Sequence, residues 1–299
     1  MSAQSPEFLC IGETMTLVYP EPSLPLEEAS TFRMHIGGAE SNTALYLASL
    51  GHSTGWVSRV GDDPFGRRMT SELQRFGVDT SAVSTDQNAP TAVYFKDPTP
   101  QGTTVHYYRR GSAASRMDAT DIDRVSFNGV RVVHLSGITP GLSDSCASMV
   151  DYAIRTARNH GTLVSFDVNY RPGVWDVETA SPVLADLSRR ADVVFVGRDE
   201  AETLWGTATS DDIANYLKLS GSLIVKDGDV GATEFTDGVR TFAPAVPVSV
   251  VEPVGAGDAF AAGYLSRLVA GDTVASRLEH GHQLAARALS SLSDFNPLD

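Results

Sequence analysis

The chain has 299 residues, with 37 acidic against 23 basic side chains and a formal net charge of −14 at pH 7. This acidic balance argues against partners such as nucleic acid or an anionic membrane, and at first it also disfavours an anionic substrate. Only Cys10 and Cys146 occur, which excludes a disulfide framework. The N-terminus lacks a secretory pattern and no apolar run approaches a membrane span, so we expect a cytoplasmic protein.

The first part of the chain predicts short strands and two helices. Asp63 is a candidate N-cap with Pro64 at the first helical position. The segment at 19–25 is rich in proline and predicts a loop. Hydrophobic spacing predicts strands at 8–11, 31–36, 91–95 and 103–108, the last two as a hairpin, and helices at 41–50 and 63–76.

From residue 130 onward, strands and helices alternate. This order predicts right-handed βαβ units and a parallel sheet covered on both faces. The strand-rich pieces near 14–36 and 91–110 do not fit the alternation, so we expect them to form a small second sheet. The alternating strands are predicted at 130–135, 163–168, 193–196 and 223–225, and the helices at 145–160, 182–190, after 199, after 211, at 257–270 and at 273–291.

Two common phosphate-binding loops are missing from the sequence. No lysine is followed by Ser or Thr, so there is no Walker A loop. The segment Gly255-Ala-Gly-Asp-Ala-Phe260 has the first two glycines of a dinucleotide fingerprint but a phenylalanine at the third position.

The same segment predicts an anion site at the start of an apolar helix. Small residues leave the backbone N–H groups of Gly255, Ala256 and Gly257 uncovered, and the helix dipole adds to their effect. Asp258 would repel a bound anion, but it suits a proton acceptor for a hydroxyl that attacks phosphorus. The alternative is a simple turn and helix cap.

Three segments resemble the motifs of the ribokinase-like (PfkB) carbohydrate kinases, in that family's order. They are Gly37-Gly-Ala-Glu-Ser-Asn42, Arg59-Val-Gly-Asp-Asp-Pro-Phe-Gly66 and Val254-Gly-Ala-Gly-Asp-Ala-Phe-Ala-Ala-Gly263. The resemblance runs from about 8 to about 290. It implies one α/β domain over 1–299, a ribokinase-like three-layer sandwich with a mainly parallel central sheet. It also implies a small β-sheet lid, built from inserts at about 13–36 and 90–111.

The resemblance implies transfer of the γ-phosphoryl group of ATP to a sugar hydroxyl. Asp258 would be the catalytic base, and the amides of Gly255, Ala256 and Gly257 would form the anion hole. Of the family's Asn-x-x-Glu element only Glu200 is present, acting on Mg2+ through water, because Gly197 replaces the asparagine. The alternative is that Glu200 is a solvated residue of its helix.

The nucleotide site implied by the resemblance includes Lys226 and two glycines of the segment Lys226-Asp-Gly-Asp-Val-Gly231. Lys226 would neutralise phosphate, although a plain surface lysine is the alternative. Gly228 and Gly231 would let the backbone approach the phosphates, and His282 would lie near adenine. The family also leaves open a monovalent cation.

The acceptor site implied for the whole family includes Gly37, Gly38 and Asn42. A narrower resemblance, to the kinases of 2-keto-3-deoxygluconate, comes from Phe166-Asp-Val-Asn-Tyr-Arg171 and Tyr107-Tyr-Arg109. It implies that the keto acid is held by Tyr94, Tyr107, Arg109, Asn169 and Arg171. An arginine fork matches a carboxylate bidentately, so two arginines favour an acidic sugar. The alternative is that both arginines pair with nearby acidic residues.

These implications favour phosphorylation of a keto-acid sugar at its terminal hydroxyl. A fructokinase or another ketose or pentose kinase is the runner-up, and a nucleoside kinase is less favoured. The alternative outside the enzymes is a sugar-sensing protein that binds its ligand without phosphorylating it. The lid would exclude water during transfer. Lids of this family often pair between subunits, so we expect a homodimer or higher homo-oligomer through the lid.

Overall fold

The computed structural model describes residues 5–99, 102–291 and 293–297. Pro100 and Gln101, in the loop of the predicted hairpin, lie outside these ranges. Within them the strands are β1 (Phe8–Ile11), β2 (Met15–Pro20), β3 (Phe32–Gly37), β4 (Thr54–Val57), β5 (Arg59–Gly61), β6 (Val78–Asp79), β7 (Ser84–Asp86), β8 (Val93–Thr99), β9 (Gly102–Tyr108), β10 (Val132–Ser136), β11 (Leu163–Asp167), β12 (Val193–Gly197), β13 (Ser222–Asp227), β14 (Gly231–Thr236) and β15 (Val239–Pro244).

From residue 130 to β13, helices alternate with the strands, as the sequence predicts, and 3-10 turns lie at Ala114–Arg116 and Thr139–Gly141. The helices are α1 (Ala39–Ser49), α2 (Pro64–Arg75), α3 (Ala119–Ile122), α4 (Asp144–Asn159), α5 (Val177–Arg189), α6 (Arg198–Trp205), α7 (Ser210–Leu217), α8 (Ala256–Ala270) and α9 (Val274–Leu289). Among the described residues, no helix combines the length and apolar character that crossing a bilayer requires.

One large sheet forms the middle layer, in the order β15-β14-β13-β12-β11-β10-β1-β4-β6. The strands from β6 to β13 in this order run parallel, whereas β14 and β15 are antiparallel. This arrangement confirms the predicted α/β fold with a mainly parallel sheet. The hairpin of β14 and β15 is not among the predicted elements, because its Gly- and Thr-rich residues lack a clear alternation.

Each face of the large sheet is covered by a separate hydrophobic core. In β1, Leu9 and Ile11 point into one core while Phe8 and Cys10 point into the other, since side chains alternate along a strand. The first core is completed by helices α4 to α7, and the second by α1, α2, α8 and α9. The layers are therefore helix, sheet and helix.

A small second sheet has the order β3-β2-β8-β9. Its strands come from the two predicted inserts, joined by parallel pairing of β2 with β8. Strand β2 continues to Pro20, beyond the start of the predicted loop at 19–25.

The helix starts show where local rules succeed and fail. Asp63 caps α2 as predicted, since its Oδ1 accepts a hydrogen bond from the Gly66 amide at 2.8 Å. Helix α5 begins at Val177, before the predicted start at Pro182, which lies inside the helix. The true N-cap is Asp176, whose Oδ1 accepts from the Thr179 amide at 2.8 Å.

Candidate active site

Helix α8 presents its first turn at the end of a loop that glycine makes possible. Gly255 has a φ of 86°, in the left-handed region, and a Cβ there would overlap the carbonyl oxygen of Asp294. Ala256, Gly257 and Asp258 then form the first turn, whose N–H groups have no partner further back in the helix. The Ala256 amide donates to the Pro253 carbonyl oxygen at 3.4 Å, and the anion site at this helix start stays a prediction.

Asp258 is held by helix α1, which packs beside α8. Asn42 Nδ2 donates a hydrogen bond to Asp258 Oδ2 at 2.8 Å. Thr43 Oγ1 donates to the Asp258 carbonyl oxygen at 3.4 Å. Two motifs at opposite ends of the sequence therefore meet, and Asn42 contacts the predicted base directly.

The pKa of Asp258 rises to about 7, mainly because burial disfavours the charged carboxylate. The nearby Asp167 raises it further, whereas the Asn42 hydrogen bond and the positive charges of Arg171 and Lys226 lower it. A carboxyl group with a pKa near neutrality is well matched to accepting a proton at physiological pH.

Lys226 is an interior lysine, so the surface alternative is wrong. Its Nζ lies 2.8 Å from Asp167 Oδ2, and its side chain is 20% exposed. The same Nζ is 3.4 Å from the point where a Cβ of Gly257 would be. Burial lowers the pKa of Lys226, but Asp167, Glu200 and Asp258 outweigh burial and raise it. A protonated ammonium therefore lies beside the anion-binding turn.

Asp167 and Glu200 form a pair of carboxylates beside this ammonium. Glu200 Oε2 accepts from the Gly197 amide at 2.8 Å, and its side chain is 16% exposed, which contradicts the solvated alternative. Burial raises the pKa of Glu200, with Lys226 opposing this effect. Asp167 Oδ1 is buried without a hydrogen-bond partner in the described chain. Sequence reasoning assigns no role to Asp167, although it is the last residue of β11 and lies in the segment at 166–171.

Arg171 lies at the edge of the same cluster. Its side chain is 50% exposed, and its Nη1 is 3.6 Å from Glu200 Oε1. Asn169, two residues earlier, has a φ of 37° and a buried Oδ1 without a partner among the described residues. Both residues follow β11, which also carries Asp167.

On the small sheet, Tyr107 stacks on Tyr94 with ring centroids 5.8 Å apart, and the Arg109 guanidinium lies 5.7 Å from the Tyr107 centroid. Arg109 Nη2 donates a hydrogen bond to Glu13 Oε2, and the two side chains form an ion pair. The pairing alternative thus holds for this arginine, as it does for Arg171 with Glu200. Its Nε, however, is buried without a partner in the described ranges. Sequence reasoning missed Glu13 as a partner.

Gly37 and Gly38 are packed too closely for side chains. A Cβ at Gly37 would overlap the Tyr94 hydroxyl, and a Cβ at Gly38 would overlap the Glu13 carbonyl oxygen. The Tyr94 hydroxyl donates to Asp294 Oδ2 at 2.8 Å, so this hydroxyl is already engaged. Asp294 is another residue that sequence reasoning missed, because no motif marks it.

Three of the predicted nucleotide residues, Gly228, Gly231 and His282, lie in the turn after β13, at the start of β14 and in α9. Gly228 has a φ of 50° in the turn after β13. A Cβ at Gly231 would overlap the Ala243 carbonyl oxygen, and the φ of 147° also favours glycine there. His282 is buried, with Nε2 3.2 Å from the same carbonyl oxygen and its ring edge-on to Phe260. These contacts do not connect His282 to Asp258.

A sequence profile described as "pfkB family carbohydrate kinase" matches residues 5–299. A protein of Bacillus subtilis (strain 168) named 2-dehydro-3-deoxygluconokinase is 37% identical over 294 residues, which covers 96% of this chain and 90% of the relative. A Thermoproteus tenax protein of the same name is 33% identical, covering 88% of this chain and 82% of the relative.

Among solved structures, a PfkB protein from Polaromonas sp. JS666 superposes with a TM-score of 0.89 at 33% identity, covering 97% of both chains. The first and third sequence motifs meet at Asp258, and the profile and the relatives match the chain over most of its length. The chain therefore belongs to the pfkB family of carbohydrate kinases.

Proposed function

We propose that the protein transfers the γ-phosphoryl group of ATP to the terminal hydroxyl of 2-keto-3-deoxygluconate, giving the 6-phosphate. The observation that carries this proposal is the placement of Asp258, held by Asn42, in a helix turn that also has the Lys226 ammonium beside it. The two relatives named 2-dehydro-3-deoxygluconokinase support this choice of sugar.

In this reaction Asp258 accepts the proton of the attacking hydroxyl. The hydroxyl oxygen forms a bond to the γ-phosphorus while the bond from that phosphorus to the ADP oxygen breaks. The amides of Gly255, Ala256 and Gly257 donate to the oxygens of the transferred group, and preorganised donors of this kind contribute roughly 3–4 kcal/mol each. Lys226 balances the negative charge from the side of Gly257.

Asp167 and Glu200 are the residues that would hold Mg2+. The buried Oδ1 of Asp167 lacks a partner, which fits a site for a cation. The described residues contain no cluster of three or more His, Cys, Asp or Glu suited to a metal. Two carboxylates suffice, because Mg2+ usually binds one or two of them together with phosphates and water. When bound, it would neutralise charge on the phosphates.

The sugar acid would lie between the small sheet and the body, with Arg171 as the main group for its carboxylate. Arg171 is half exposed and only loosely paired, so it can turn to a bidentate carboxylate. Arg109 keeps an unused Nε, and Tyr107 lies beneath its guanidinium. The remaining sugar contacts are proposed for Gly37, Gly38, Asn42, Tyr94 and Asn169.

The small sheet is proposed to act as a lid, and its outer face as a homodimer contact. Phe32, Met34 and Tyr108 of this sheet are 42%, 40% and 69% exposed, which is unusual for side chains of this size.

The proposal further includes a cytoplasmic location and nucleotide contacts at Gly228, Gly231 and His282. Dependence on a monovalent cation is tested by comparing potassium with tetramethylammonium salts.

An ADP-release assay with Mg-ATP across 2-keto-3-deoxygluconate, its galacto epimer, fructose and ribose tests the function. We expect the highest kcat/KM for a keto acid. A preference for fructose would favour the runner-up, and background release for every sugar would favour a sugar-sensing protein.

The carboxylate contact is tested by Arg171→Ala. We expect a higher KM for the keto acid and little change with a neutral sugar. Arg267→Ala is the matched control, since Arg267 is 44% exposed and pairs with Asp272 at 3.7 Å. Equal KM values in the wild type and the Arg171 variant would contradict this role.

A further inference from the structure

Lys96 is a buried lysine on the inner side of the small sheet. It lies on β8, and its side chain is only 6% exposed. Its Nζ is 3.0 Å from Glu252 Oε2 and 3.2 Å from Asp294 Oδ1. A buried ammonium needs charged partners, and these two belong to different parts of the body. The lysine therefore joins the small sheet to two body segments.

Both acidic partners of Lys96 are connected to the loop that leads into α8, Glu252 through its side chain and Asp294 through its backbone. The other oxygen of Glu252, Oε1, accepts from the Val254 amide at 3.2 Å. The backbone of Asp294 lies against Gly255, where a Cβ would overlap the Asp294 carbonyl oxygen. The loop from Glu252 to Gly255 is thus held at one end by the first partner of Lys96 and at the other end by the backbone of the second. It leads directly into the anion-binding turn.

The segment that carries Asp294 is fixed to the body. The Phe295 ring packs edge-on against Tyr46 at 4.9 Å and against Phe76 at 5.1 Å. The Asn296 amide donates to the Tyr46 hydroxyl at 3.0 Å. Since Asp294 is anchored in this way, it provides Lys96 with a stationary partner, and the loop at 252–255 is the element whose position the ammonium can set.

We propose that Lys96 is a positioning residue for the anion hole. Through Lys96, the geometry of the amides at 255–257 depends on how the small sheet packs against the body. The proposal rests on the function given above for these amides. The sheet also reaches Asp294 through Tyr94, which bonds Oδ2 while Lys96 bonds Oδ1. Because Tyr94 stacks on Tyr107, a sugar held by Tyr107 is linked through this pair to the transfer site.

The test compares Lys96→Met, Glu252→Gln and the double variant in the full-length enzyme. We expect each single variant to lose about a hundredfold in kcat, the size of effect that a displacement of about 1 Å can cause. KM for the sugar acid should change little. The double variant should lose no more than either single variant, because both changes remove the same contact. Lys218→Met is the control, since Lys218 is exposed.

A structural role alone would lower the melting temperature and the folded fraction but not kcat per folded molecule, so each variant is also melted and its folded fraction measured by circular dichroism. If Lys96→Met does not fold, the Glu252→Gln variant, which keeps the ammonium and Asp294, decides. An unchanged kcat, a change confined to KM, or losses that multiply in the double variant would overturn the proposal. If the proposed function itself is wrong, the wild type will not phosphorylate the sugar acid at all.

Discussion

Asp258→Asn should stabilise the protein while it removes the proton acceptor. The pKa of Asp258 rises from 3.8 to about 7 because burial disfavours the ionised form. One pH unit of such a difference corresponds to about 1.4 kcal/mol, so the ionised carboxylate lowers the free energy of unfolding by about 4 kcal/mol at most.

Proton binding sets the pH window of this effect. Between pH 3.8 and about 7 the folded protein keeps a proton that the unfolded chain has released. The stability contributed by this group is therefore complete below pH 3.8 and is lost progressively as the pH rises from 3.8 to about 7. Asparagine does not titrate, so the gain of the variant should be about 1.6 kcal/mol at pH 5 and complete, at about 4 kcal/mol, at pH 8.

Thermal melts followed by circular dichroism at pH 5 and pH 8 measure this gain. At about 2 °C per kcal/mol for a chain of this size, the melting temperature should rise by up to about 8 °C at pH 8. Asp144→Asn is the control, because Asp144 also lies in the first turn of a helix, α4, but is exposed. A variant no more stable than the wild type at pH 8, or a gain equal at both pH values, would refute the reasoning.

Three further outcomes are expected. The kcat/KM for the sugar should rise about tenfold per pH unit below neutrality and level off near pH 7, as Asp258 ionises; a flat profile would exclude this carboxyl as the base. Lys226→Met should leave Asp167 buried and unpaired, lowering stability in urea unfolding by about 3 kcal/mol or more and raising KM for Mg-ATP. Gly37→Ala should cost about 1–3 kcal/mol through overlap with a tyrosine hydroxyl, whereas Gly173→Ala, with open space around its Cβ, should melt like the wild type.

Much of the fold and the centre of the site follow from local patterns. The alternation after residue 130 predicts the parallel sheet, because buried strands and amphipathic helices have distinct periods. The glycine run before Asp258 predicts a helix start with uncovered amides, whereas the run at 37–42 is recognised through its resemblance to the carbohydrate kinases. Their contact at 2.8 Å agrees with the expectation of one site.

Residues that act through distant partners were not predictable in this way. Asp294 stands in a segment without a motif, and the roles of Glu13 and Asp167 appear only when strands far apart in sequence are brought together. Arg109 illustrates the limit well. Its presence favours an acidic sugar, yet the sequence alone does not reveal that Glu13 already takes part of its hydrogen-bonding capacity.

The pairing of β2 with β8 has a consequence for exchanging sugar specificity between relatives. These strands belong to separate inserts, so the small sheet cannot be transplanted as one continuous piece. In a chimaera that receives only the β8–β9 hairpin, the new β8 would have to pair with the β2 of the other parent. Its lysine would also have to find Glu252 and Asp294 in the same positions. Recombination should therefore yield working hybrids only when both inserts and these two acidic residues come from the same parent.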